Sequence, residues 1–292
     1  MHILVTGAGG FSGSHIVPVL LGRGHRVTAH CGRSRGRFEL PAGQPAALEA
    51  VLTGDLSTDT NFPSDIDAII HTAGRSPGPN ILDDQLYSDN VRSMKTILTN
   101  FGHCNISKFI NFSSLSVLGD IVEREVDETT PIRNPDTYGK TKRQSEILLA
   151  EQLPHANSLS IRLPGVLGKN SVRNWLTNVL GCAKEGRDIS YFNPDAAFNN
   201  AVHISSLCDF VATVLEQDWS GHEIITIGAD GNMTIREMVK TIVRLTESRS
   251  RLVIAPTVRQ SFLIQNTRAR EKFGYEPMNM HEMLEKFIAE NV

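Results

Sequence analysis

Five residues of apolar character, His2–Thr6, run into a stretch that carries glycine at every third position, Gly7, Gly10 and Gly13, and then into the helical segment Ser14–Leu21. No other feature constrains the fold as strongly. A strand that turns sharply into a helix needs a first residue free to take a positive φ. It needs a second glycine where backbone must approach a bound group, and a third where helix and strand pack closely. The helix start then offers free N–H groups and the positive end of its dipole, a setting for phosphate. A second apolar run, Arg26–His30, follows at the distance a βαβ unit requires. The segment therefore reads as a dinucleotide-binding strand–turn–helix, with Gly7, Gly10, Phe11, Ser12 and Gly13 at the pyrophosphate.

The pattern continues. Short runs rich in Ile, Val, Leu or Phe, each followed by Gly, Ser, Asp or Pro, occur at Ala68–His71, Phe109–Phe112 and Ser158–Arg162. Helical spacing lies between them, as in Val91, Met94, Ile97 and Leu98. Buried parallel strands alternating with helices imply right-handed crossovers. The expected fold is α/β, a Rossmann-type doubly wound parallel sheet with a smaller C-terminal α/β substrate lobe. Texture changes after Pro164, so the expected dinucleotide domain is 1–164 plus 201–220 and the expected lobe is 165–200 plus 221–292. Beyond residue 200, Ala201–Ile204 and Ile224–Ile227 read as strands; Leu207–Leu215, Thr234–Thr246 and His281–Ala289 read as helices. Gly36–Pro45 is the most loop-like stretch.

Composition narrows the class. The 292 residues carry a net charge of −3, which argues against a nucleic-acid or membrane-surface partner. The four cysteines are far apart, with no Cys-x-x-Cys pair, so neither a metal site nor a disulfide framework is expected. No signal peptide and no apolar run of membrane-spanning length is recognised, and a cytoplasmic setting is expected.

An NAD-preferring site usually places an acid at the end of the second strand to hold the ribose hydroxyls. This chain has no acidic residue before Glu39, and it carries Arg33, Arg35 and Arg37 where the acid would fall. A guanidinium matches a 2′-phosphate in charge and geometry. The expectation is NADP, with NAD still possible and Arg33 as the phosphate partner. A solvated basic loop is the plainer alternative.

Tyr138-Gly-Lys-Thr-Lys142 opens an amphipathic segment, and residues i and i+4 share a helix face. Lys142 beneath Tyr138 is expected to lower the phenol's pKa and make it an acid/base. Ser113 and Ser114 end a strand, where such sheets border their binding crevice. His71 and His203 lie in or beside apolar strands and read as packed side chains.

These motifs together resemble the extended short-chain dehydrogenase/reductase family, the NAD-dependent epimerases and dehydratases. The resemblance rests on Thr6–Gly13, Gly54-Asp55-Leu56, His71-Thr-Ala-Gly74, Asn90, Ser113–Gly119, Tyr138–Lys142, Arg162–Gly168 and Val202-His203-Ile204. It implies Ser114, Tyr138 and Lys142 as catalytic residues, with Lys142 also on the nicotinamide ribose. It implies cofactor contacts at Asp55 and Leu56 (adenine), at Thr72, Ala73 and Gly74, and at Pro164 and Val166 near the nicotinamide, with Asn90 in the supporting helix. Substrate contacts are expected at Ser76, Leu115, Ser116, Gly165 and Asn199. A homodimer is implied.

The chain departs from the family pattern in three places: Leu118 replaces a frequent Tyr, Gly165 a frequent Asn, and Asn199 a frequent Arg. No acid follows Ser114 closely, which disfavours a 4,6-dehydratase. The expected activity is NAD(P)-dependent hydride transfer at a hydroxyl or keto carbon, C4 of a nucleotide sugar, as a 4-epimerase or 4-ketoreductase. The alternatives are an NADP-dependent reductase of a non-nucleotide carbonyl compound and a non-catalytic dinucleotide sensor.

Overall fold

The structure, a computed structural model, describes residues 1–39, 46–59, 61–102, 104 and 106–292. The end of the Gly36–Pro45 loop therefore lies outside the described residues. Backbone contacts divide the chain into two units. The first comprises Met1–Asp120, Ile132–Arg162 and Cys208–Ile225; the second comprises Ile121–Pro131, Leu163–Leu207 and Thr226–Val292. Ile121–Pro131, inside the first of the expected ranges, thus belongs to the second unit.

The first unit is built on the seven-stranded sheet. Its strands are β1 (His2–Thr6), β2 (Arg26–His30), β3 (Leu48–Leu52), β4 (Ala68–His71), β5 (Lys108–Ser114), Asn157–Leu163 and His222–Thr226. In space they run His222–Thr226, Asn157–Leu163, β5, β4, β1, β2, β3. β1 pairs in parallel with β2 and with β4, placing Thr6 between His30 and His71. β4 continues in parallel to β5, with His71 opposite Asn111. Chain order reverses at β1 and β4, so a doubly wound sheet opens its crevice there, at the carboxyl ends. The strands read from apolar runs are present at or within two residues of their expected bounds. β3 was not legible: Leu48-Glu-Ala-Val-Leu is half exposed at a sheet edge and too short to show alternation.

One face of the sheet is covered by the helices Ser93–Phe101 and Thr137–Gln152. Met94, Ile97, Leu98, Leu148 and Leu149 pack there against Leu4, Ile69 and Phe109. A π-helical turn, Ser88–Arg92, precedes the first of these helices.

The second unit has its own core, in which Leu176, Val179 and Leu180 meet Met238, Val239, Ile242, Met283 and Phe287. Thr234 caps the helix Ile235–Leu245 through a reciprocal box with Glu237. Gly165–Leu167 pairs in parallel with Ala201–His203. Among the described residues, no helix is long and apolar enough to cross a membrane, and no cluster of His, Cys, Asp or Glu could hold a metal ion.

Candidate active site

The glycine turn is closed by contacts that admit no side chain. Gly7 takes φ +75°, and a Cβ there would lie 2.6 Å from the Ala73 backbone nitrogen. A Cβ on Gly13 would lie 2.2 Å from the Gly7 carbonyl oxygen. The helix Phe11–Gly22 begins on Gly10 with no side-chain cap and no acid in its first turn. This end of the helix is open to an anion, and the cradle fits a dinucleotide pyrophosphate. Thr72 donates through both its amide and its hydroxyl to the Thr6 carbonyl, at 3.1 and 2.8 Å, which ties the chain leaving β4 to β1. His71 bonds Thr6 Oγ1 at 2.8 Å, and burial pushes its pKa down to about 3. It is a packed neutral histidine, as its strand position suggested. His203 is likewise buried in its own unit, against Ser205.

Residues expected at the adenine end behave differently from one another. Leu56 is buried in the core beside Ile69 and Val91. Asp55 accepts from the Ser57 amide and hydroxyl at 3.0 and 2.8 Å and from Arg33 at 2.8 Å. Arg33 also reaches Asp89, at 2.9 Å.

The catalytic candidates converge. Burial pushes the Tyr138 phenol up, and hydrogen bonds with Ser114 and Ser76 pull it partly back. Ser114 and Ser76, both named from the family resemblance, thus act on the same phenol. The expected lowering of the Tyr138 pKa by Lys142 needs correcting. The Lys142 ammonium lies 6.0 Å from the ring centroid and donates instead to the Phe112 carbonyl at 2.8 Å. Burial therefore dominates the phenol. Lys142 is itself pushed down to about 8 by burial, opposed by the Glu146 carboxylate. Its Nζ stands beside Gly74, where a Cβ would come within 3.2 Å of it.

Asn90 binds this arrangement together. Its Oδ1 accepts from the Arg75 amide at 2.7 Å, while Nδ2 donates to the Arg75 carbonyl and to Thr141 Oγ1. Ser114 Oγ accepts from the Ser116 amide at 3.1 Å and starts the 3₁₀ turn Leu115–Leu118, with Leu115 buried.

The remaining candidates lie in the second unit. Gly165 opens the strand Gly165–Leu167, and Val166 accepts from Asn174 Nδ2 at 3.3 Å. Pro164 immediately precedes that strand. Asn199, expected at the substrate, has both ends of its amide on the Ile264 backbone, at 2.9 and 2.8 Å, and is buried. Its amide closes a backbone gap beside the strand Leu263–Ile264, which accounts for an Asn at that position.

Sequence reading missed a buried group on the helix Thr137–Gln152. Glu146 accepts from Ser113 at 2.7 Å, from Arg162 Nε and Nη2 at 3.0 and 2.9 Å, and from Arg143 at 2.9 Å. The signal was present: Tyr138, Lys142 and Glu146 follow one another at i+4.

Comparison with known proteins gives a consistent result. The profile of the NAD dependent epimerase/dehydratase family matches residues 3–228. The UDP-glucose 4-epimerase of Streptomyces lividans is 24% identical over 303 aligned positions, covering 94% of this chain and 91% of that protein. The UDP-glucose 4-epimerase of Azospirillum brasilense is 25% identical, covering 98% and 90%. Among solved structures, the UDP-glucuronic acid 4-epimerase of Bacillus cereus in complex with NAD superposes with a TM-score of 0.81. It is 20% identical and covers 99% of this chain and 98% of that one. At that identity the likeness speaks for the fold.

Proposed function

The chain belongs to the NAD dependent epimerase/dehydratase family, and on that premise we propose that it is a 4-epimerase of a nucleotide-diphosphate sugar. The observation that carries the reading is the Tyr138 phenol near Ser114 and Ser76, with the buried Lys142 ammonium four residues on along the same helix. When bound, a nicotinamide dinucleotide supplies a hydride acceptor that can return the hydride. Its expected holders are Gly7, Gly10, Phe11, Ser12, Gly13, Asp55, Thr72, Ala73, Gly74 and Lys142.

The protein's own part is the proton. Tyr138 takes the proton of the sugar 4-hydroxyl as C4 becomes a ketone, and gives it back when the opposite face is reduced. Ser114 hydrogen-bonds the same oxygen. Between the two steps Tyr138 is the neutral phenol that carries this proton, and Lys142 is the expected holder of the nicotinamide ribose. Over a full cycle the sugar is inverted at C4 and no net oxidation occurs.

Gly165 and Asn199 mark a sugar-nucleotide grip unlike the usual one, and this supports the second reading, a net reductase acting on another carbonyl compound. The arginines of residues 31–37 support NADP, and the solved relative's NAD supports NAD. A cytoplasmic homodimer is part of the proposal and is checked by sedimentation. The activity test is incubation with UDP-glucose, UDP-galactose or UDP-glucuronic acid, following products by chromatography and absorbance at 340 nm. Interconversion of a 4-epimeric pair without net absorbance change supports the proposal. Steady consumption of reduced cofactor with a ketone, and no interconversion, replaces it with the reductase.

A further inference from the structure

Arg33 stands where the expected 2′-phosphate partner belongs, but its guanidinium is already engaged on two edges. The Nε and Nη2 edge meets Asp55 Oδ2 at 3.2 and 2.8 Å. The Nη1 and Nη2 edge meets the two oxygens of Asp89 at 3.3 and 2.9 Å. Asp89 is further tied to Arg75 Nε. The four residues come from four separate places in the unit: the segments after β2, β3 and β4, and the π-helical turn Ser88–Arg92. Two arginines and two carboxylates sum to zero charge. Burial would raise the Asp89 carboxyl, but the hydrogen bonds from Arg33 and Arg75 outweigh it and hold Asp89 below the usual range. At neutral pH the clasp is ionised throughout.

We infer that Asp89, with Asp55, masks Arg33 and so makes this an NAD-preferring site although no acid ends its second strand. The inference rests on the cofactor site proposed above. A guanidinium recognises phosphate through a bidentate edge, and both edges of Arg33 hold carboxylates. A 2′-phosphate can engage Arg33 only by displacing one carboxylate while standing close to the other. A ribose 2′-hydroxyl carries no charge and meets no such penalty. The sequence signal at Arg33 is thereby reversed by two carboxylates that arrive from distant positions. Asp89 is the specificity-determining residue, since it lies deeper than Asp55, with its side chain 15% exposed against 39%, and is held by a second arginine.

The test is equilibrium binding of NADH and of NADPH to the whole protein, read by quenching of protein fluorescence or by calorimetry. The unmodified protein is expected to bind NADH more tightly than NADPH. Asp89→Asn keeps the shape, releases one edge of Arg33, and is expected to tighten NADPH about fivefold relative to NADH, the scale of one partly exposed ion pair. Adding Arg33→Ala to Asp89→Asn must abolish that gain. If Asp89→Asn loses its native circular dichroism, Asp55→Asn must shift the ratio in the same direction. Preference of the unmodified protein for NADPH, or an unchanged ratio in the Asp variants, overturns the inference while leaving the cofactor site in place. Failure to bind either dinucleotide overturns the site and the inference together.

Discussion

Gly139 lies so close to Ser116 that a Cβ on it would come within 2.1 Å of the Ser116 carbonyl oxygen. This contact lets the start of the helix Thr137–Gln152 sit directly on the turn that follows Ser114, and it brings the neighbouring Tyr138 to that serine. Gly139→Ala is expected to push the two apart. The expected result is a fall in kcat of about a hundredfold, the cost of misplacing a reacting group by about 1 Å. A stability loss of about 1–3 kcal/mol should accompany it. Steady-state kinetics and urea unfolding read the two effects separately.

Lys142 gives the enzyme an alkaline limit. Burial disfavours the ammonium, so its pKa falls to about 8; the group is charged below that pH and neutral above it. Since the charged form is the one expected to hold the cofactor's ribose, kcat/KM should decline as pH rises through about 8. Lys142→Arg, which stays charged, should remove this limb even though it lowers the rate. A pH profile recorded from 6 to 10 for both proteins checks the claim.

Glu146 is fully buried and Arg162 almost so. Removing the charge of one leaves the other buried without its counter-ion, which costs about 3–5 kcal/mol. Glu146→Gln is expected to lower stability on that scale. It should also move the alkaline limb to lower pH, because the Glu146 carboxylate raises Lys142. Thermal unfolding measures the first effect and the pH profile the second. An unshifted limb would separate Glu146 from Lys142.

Asn90 joins the backbone of Arg75 to Thr141 on the catalytic helix. Asn90→Ala is expected to release the 74–76 segment and with it the Ser76 contact to Tyr138. The loss in kcat/KM should be about tenfold, in keeping with three hydrogen bonds at roughly 0.5–1.5 kcal/mol each, partly regained from water. Asn90→Asp keeps the shape but not the donor, and should recover little.

Much of this was legible in the chain, and the exceptions have physical causes. β1, β2 and β4 are buried on both faces and read as apolar runs, whereas β3 is an edge strand whose Glu49 breaks the run. Tyr138 and Lys142 could be singled out because helix periodicity places i and i+4 together, and Ser114 because it ends a strand. The same periodicity reaches Glu146, but nothing local reveals that its partners are Ser113 and Arg162. Arg33 shows the limit most plainly. Residues 31–37 read as a phosphate site because Asp55 and Asp89, its partners, are 22 and 56 positions away. Asn199 is a similar case, since its partner Ile264 is 65 positions away.

The central claim is that Tyr138 and a returning hydride invert one carbon of the substrate. Its most direct measurement uses a UDP-hexose deuterated at C4 and follows the label by NMR through epimerisation in ordinary water. Retention of deuterium at C4 in the inverted product is predicted, together with a loss of rate of about a hundredfold or more in Tyr138→Phe, the range of general acid–base catalysis. Replacement of the label by solvent hydrogen, or Tyr138→Phe turning over at the unmodified rate, would contradict the account.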